Sequence, residues 1–164
     1  MFPRNPGHLQ TFDYVGLYRY FLTFCTDFRR RLFTDAAAID VVLSQILRAA
    51  RDESFAVTAY CFMPDHVHLL IQAEHDGSDC LAFAKRAKQL SGFYYSKHFG
   101  RKLWQRYGYE RVLRNDEATL AVARYIFENP IRAGLVSRVE DYPLLGSTTY
   151  AVADILEAAG NRSG

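Results

Sequence analysis

Apolar positions along this chain recur with two different periods, and each change of period marks a new element. From Tyr20 to Thr26 the run YFLTFCT is aromatic, β-branched or apolar, the pattern of a buried strand. Asp35 to Glu53 carries Ile39, Val42, Leu43, Ile46, Leu47 and Ala50 at spacings of three and four, which predicts an amphipathic helix capped by Thr34 or Asp35. Ala56 to Met63 and His66 to Ala73 are two further strands. Only Pro64 and Asp65 separate them, a connection short enough for an antiparallel hairpin. Cys80 to Phe99 reads as a second helix, weakened in its middle by Ser91 and Gly92, and Tyr109 to Leu113 as a fourth strand. A third helix is expected from Asp116 to Glu128. Asn115 would cap it, and Asn129-Pro130 would close it, because the residue before a proline disfavours helical dihedrals. A short helix from Ala151 to Ala159 precedes a polar end.

The order is therefore β-α-β-β-α-β followed by an additional helix. This is an α+β, ferredoxin-like arrangement: an antiparallel sheet with two helices on one face. The expected division is a segment 1–19, a domain 20–147 and a tail 148–164.

Composition acts mainly by exclusion. A chain of 164 residues, 49% hydrophobic and 23% charged, supports one globular core and argues against disordered and fibrous classes. No apolar run approaches the ~18 residues of a membrane span, and Met1 to Gln10 lacks signal-peptide character, so the chain reads as cytoplasmic. Cys25, Cys61 and Cys80 are odd in number and without CxxC spacing, which indicates neither a disulfide framework nor a zinc knuckle.

The net charge of +2 hides a local asymmetry. Between Leu81 and Asn115, Lys85, Arg86, Lys88, Lys97, Arg101, Lys102, Arg106, Arg111 and Arg114 face a single acid, Glu110. Trp104, Phe93, Tyr94, Tyr95, Phe99, Tyr107 and Tyr109 are interleaved with them. Alternating cations and flat rings suit a surface that tracks a nucleic-acid backbone and stacks on bases, although a solvated helix face explains a basic run more often than nucleic acid does.

Two small constellations could carry chemistry. His66 and His68 are two apart in a strand, so both imidazoles project to one face and could chelate one ion, while Val67, Leu69 and Ile71 point to the other. An HxH tripeptide is weak by itself. Tyr125 and Asn129 lie four apart on a helix, one turn from each other, and could offer a nucleophile and an oxygen ligand. A core tyrosine followed by a C-capping asparagine explains the same spacing.

The stretches YCFMPDHVHLLIQ, KLWQRYGYERVLRN and RYIFENPIRAGLV, in this order, resemble the REP-associated tyrosine transposases, a branch of the single-tyrosine transposases with a His-hydrophobe-His motif. The resemblance runs from about Tyr20 to Ser147, and the segment before Tyr20 matches loosely. It implies a metal-dependent, single-stranded DNA endonuclease and strand transferase that acts on hairpin-bearing repeats through a 5′-phosphotyrosine. It further implies that His66, His68 and Asn129 bind Mg2+ or Mn2+ and that Tyr125 is the nucleophile. Repeat-associated members resemble monomers acting in cis. Phe127 departs from the pattern, since many relatives have histidine there. Two other readings stay open: a noncatalytic nucleic-acid-binding module of RRM type, with SGFYYSKHF (Ser91 to Phe99) in a central strand, and a hydrolase using bound water with Asp65 or Glu128.

Overall fold

The computed structural model describes residues 15–113 and 116–161. Strands β1 (Arg19–Cys25), β2 (Phe55–Met63), β3 (His66–Ala73), β4 (Tyr109–Leu113) and β5 (Leu145–Gly146) form one sheet in the order β4-β1-β3-β2-β5, with every neighbour antiparallel. Helix α1 (Ala36–Asp52) links β1 to β2, and α2 (Cys80–Phe99) links β3 to β4. This is the ferredoxin-like order expected from the sequence. To it are added α3 (Asp116–Arg132), the two-residue edge strand β5 and α4 (Val152–Asn161). Asp35 caps α1 through a bond from the Ala38 amide at 2.8 Å. The Asn115 cap expected for α3 lies outside the described residues.

The sheet is apolar on both sides, which is why its central strands read as continuous hydrophobic runs. On one side Tyr20, Leu22 and Phe24 of β1 and Val67, Leu69 and Ile71 of β3 pack beneath α1 and α2. On the other, Phe21, Leu70, Cys61 and Met63 meet Val122, Ala123, Ile126 and Phe127 of α3 and Ile155 of α4. In β2 the alternation is broken by a bulge between Val57 and Ala59. The extra residue reverses the facing of everything after it, and so turns Cys61 and Met63 toward α3.

The expected helix end at Asn129-Pro130 is corrected: α3 runs through Pro130 to Arg132. It stops two residues later in a Schellman motif. Gly134, at φ +75°, donates to the Ile131 carbonyl at 3.0 Å, and Leu135 donates to the Pro130 carbonyl at 2.9 Å. Proline removes one N–H and crowds the preceding turn, but Ile126 and Phe127 are fully buried against the sheet. The Arg132 guanidinium also donates to the Tyr125 carbonyl in the turn that proline disturbs.

Candidate active site

The Pro64-Asp65 turn is fixed before any chemistry begins. Thr26 and Phe33 donate backbone bonds to the carbonyls of Asp65 (2.9 Å) and Pro64 (3.0 Å), tying the hairpin to the end of β1. The Asp65 carboxylate then accepts from Nδ1 of His66 at 2.7 Å and from Nε of Arg29 at 3.0 Å. These partners, His66 first, hold the Asp65 carboxyl down at about 2. An ionised carboxylate only accepts, so Nδ1 of His66 carries the proton that Asp65 accepts, and Nε2 faces His68.

His68 points to the same side of the sheet and is buried. Its Nδ1 lies 2.9 Å from the Thr23 hydroxyl of β1, and its Nε2 lies 3.2 Å from Nε2 of His66. Burial, followed by the nearby charges of His66, Arg132 and Arg29, pushes its pKa well below the ordinary imidazole value, while Asp65 opposes the shift. His68 is therefore neutral at physiological pH. Because a hydroxyl can donate or accept, Thr23 permits either tautomer, including the one with its proton on Nδ1. Two Nε2 atoms 3.2 Å apart have the spacing of adjacent ligands on one ion at roughly 2.1 Å each, so with the proton they share removed the pair would fit a divalent cation. No three His, Cys, Asp or Glu side chains gather into a metal cluster among the described residues. The remaining ligands would be oxygens, as suits an open site for a hard ion.

Helix α3 brings Tyr125 to this pair. The Tyr125 ring stands edge-on to His68 at 6.3 Å and to Phe21 at 6.2 Å, and Phe21 in turn stacks on His68 at 5.3 Å. Tyr125 remains 46% exposed, open to a polymer arriving from solvent. The Arg132 guanidinium lies over its ring at 4.0 Å. Asn129 follows one turn later, half-buried. Arg124 turns away and pairs with Glu128 at 2.7 Å. Phe127 is wholly buried against the sheet, so the departure from histidine there serves packing.

The structure therefore brings together His66, His68 and Tyr125, with Asn129 one turn along. Sequence reasoning missed Thr23, Asp65 as an orienting group and Arg29; Arg132 is near Tyr125 in sequence, but its direction cannot be read there. Only Asp65 was within reach of sequence reasoning, as the residue between a hairpin proline and the first histidine; the others depend on strand register and on the end of α3. Asp65 and Glu128, the acids of the water-activating alternative, are both held in ion pairs. SGFYYSKHF lies in α2 and not in a central strand, which removes the basis of the RRM-like reading.

The basic strip does not form one surface around this site. Lys85, Arg86, Lys88 and Lys97 belong to α2, on the opposite side of the sheet, and Arg101, Lys102 and Arg106 follow it in the connection to β4. Arg86 pairs with Asp52 at 2.6 Å, and Lys88 donates to the carbonyls of Gln105 and Arg106 at 3.0 and 3.2 Å. Arg111 lies 5.9 Å over the ring of Phe21, which stacks on His68, and Arg114 lies outside the described residues. Trp104 is a correction to the expected stacking surface. It is 5% exposed, packed on Phe24 and Phe33, and its indole N–H donates to Ser91 at 2.9 Å, so no open ring face remains.

Among the described residues no helix is long and apolar enough to cross a membrane. A family model described as transposase, IS200-like, matches residues 14–129. A Haemophilus influenzae protein described as a REP-associated tyrosine transposase is 29% identical over 148 residues, 84% of this chain and 82% of the relative. A REP-associated tyrosine transposase of Escherichia coli is 26% identical over 98 residues, covering 60% and 58% of the two chains. Among solved structures, a REP-associated tyrosine transposase bound to a REP hairpin superposes with a TM-score of 0.71 at 22% identity, covering 85% of this chain and 81% of that one. A Deinococcus radiodurans protein described as a transposase gives 0.52 at 23%, covering 74% and 97%. The fold, the paired histidines facing the tyrosine helix, and a family match over most of the chain agree: this protein belongs to the IS200-like transposase family.

Proposed function

We propose that this chain cuts and rejoins single-stranded DNA at hairpin-bearing repeats of REP type, as a metal-dependent endonuclease and strand transferase with Tyr125 as nucleophile. The observation that carries the reading is the seat of Tyr125, edge-on to His68 where two imidazole Nε2 atoms lie 3.2 Å apart. It is supported by family membership and by a similar fold whose structure is bound to a REP hairpin. His66, His68 and Asn129 would hold Mg2+ or Mn2+. When bound, the ion would offset the negative charge of the phosphate under attack.

The phenolic oxygen of Tyr125 attacks phosphorus and loses its proton to solvent. The bond from phosphorus to the 3′-oxygen breaks, and that oxygen leaves as a 3′-hydroxyl after taking up a proton. The 5′-phosphotyrosine keeps the bond energy, so the reverse attack by a 3′-hydroxyl rejoins strands without ATP. Asp65 and Thr23 orient the two imidazoles, and Arg132 holds the Tyr125 ring and places a cation beside the incoming phosphate. His66, His68 and Tyr125 meet within one chain, which suits a monomer acting in cis, on DNA in the cytoplasm.

The test is incubation of a labelled hairpin-bearing oligonucleotide with protein and manganese, followed by a denaturing gel. A protein-sized shift that EDTA prevents is expected. Free cleavage products without any protein-linked band would refute the nucleophile assignment.

A further inference from the structure

On the far side of the sheet from Tyr125, a cavity of about 440 Å³ opens between α2 and the segment leading to β4. It falls within the ~300–1,000 Å³ typical of small-molecule sites. Its floor is the edge of Trp104 and Leu103, and its wall is Phe93, which is 63% exposed. Lys88 builds the opposite wall by binding the carbonyls of Gln105 and Arg106. Lys102 and Arg106 stand at the rim; Lys102 pairs loosely with Asp27 at 3.9 Å, and Arg106 lies over the exposed Tyr107 ring at 5.4 Å. Gly92 keeps the space open. A Cβ there would meet Trp104 at 3.7 Å, an ordinary contact, so a larger side chain would enter the cavity without displacing backbone.

We infer that this cavity is a second DNA subsite, which takes one unstacked base of a single strand whose flanking phosphates lie on Lys102 and Arg106. An apolar slot with cations confined to its rim matches the flat face and charged backbone of a nucleotide. The route to the first site is also marked: β4 is the edge strand, and Arg106 before it and Arg111 within it place cations on both sides of that edge. A strand leaving Tyr125 thus passes Arg111, rounds β4 and reaches the cavity. The ligand class rests on the proposed single-stranded DNA activity, but the site itself is separate from it.

Trp104 is the only tryptophan of the chain, so its emission reports on this cavity. Titration with a twelve-nucleotide thymidine strand should quench it to saturation. A strand of equal length without bases should leave emission unchanged even where it binds. Gly92→Leu should weaken quenching and affinity by about tenfold or more, with an unchanged circular dichroism spectrum. If that variant is misfolded, Phe93→Ala and Lys102→Gln should each weaken binding several-fold. Equal quenching by the baseless strand, parent-like quenching in the folded variants, or no quenching at saturation overturns the subsite. Quenching should persist in Tyr125→Phe, whereas adduct formation should not, so failure of one reading is visible without the other.

Discussion

The two sides of the sheet contain strand residues of equally apolar character but solve opposite problems. Beneath α1 and α2 the interior is almost wholly aliphatic and aromatic, with the Trp104 indole satisfied by Ser91. Beneath α3 the same strands bury two imidazoles and a threonine hydroxyl beside Phe21 and Leu70, and leave the neighbouring tyrosine half exposed. The first side stabilises the fold. The second gives up apolar burial to hold polar groups in a fixed, low-dielectric arrangement, and every polar atom of the histidine rings has a named partner.

The largest separation between the sides should come from Ile46→Ala against Tyr125→Phe. The first removes a fully buried side chain under α1 and should cost about 2–5 kcal/mol in urea unfolding, with cleavage per folded molecule unchanged. The second removes an exposed hydroxyl and should alter stability by less than about 0.5 kcal/mol while eliminating the covalent adduct. A large stability loss in Tyr125→Phe would mean that the tyrosine is a packing residue.

Asp65→Asn sharpens the comparison within the polar side. It preserves shape but loses the charge that fixes the His66 tautomer, and should reduce manganese affinity and cleavage by roughly 10–100-fold. A manganese titration checks this, since saturating metal should restore part of the rate. Arg132→Lys keeps the charge but not the planar face over Tyr125, and should slow cleavage by about two- to thirty-fold, from a contact worth ~0.5–2 kcal/mol. Single-turnover rates at saturating DNA decide whether the loss lies in positioning or in binding.

The smallest effect concerns alkaline pH. Burial pushes the Cys61 thiol up to about 12 from 9.0, and also raises Tyr142, whose hydroxyl donates to the Phe62 carbonyl. Above pH 9 the unfolded chain loses the thiol proton while the folded chain keeps it, so stability falls as pH rises, by no more than about 1.4 kcal/mol per pH unit from this group. Melting temperature followed from pH 8 to 10.5 should decline, and Cys61→Ala should flatten the decline.

What could be read from the sequence follows the range of the forces involved. Strand and helix periods are local, and β3, α2 and β4 begin and end where those periods change. The facing of His66 and His68 follows from strand geometry alone. The continuation of α3 past Pro130 was hidden, because burial of Ile126 and Phe127 overrides the local preference against proline. Trp104 looked like a stacking residue because its cationic neighbours are local, whereas its burial depends on a return of the chain to β1. Thr23 reaches His68 only through the β1–β3 register, a pairing across 45 positions that no window of sequence reveals.

Mapping the covalent adduct tests the assignment most directly. After reaction with a hairpin-bearing oligonucleotide and manganese, the protein is digested with protease and nuclease and the modified peptide is sequenced by mass spectrometry. The nucleotide should be found on Tyr125, with no adduct in Tyr125→Phe. A nucleotide on Tyr94, Tyr107 or any other residue, or an adduct that survives in Tyr125→Phe, would contradict the assignment even if the protein cuts DNA.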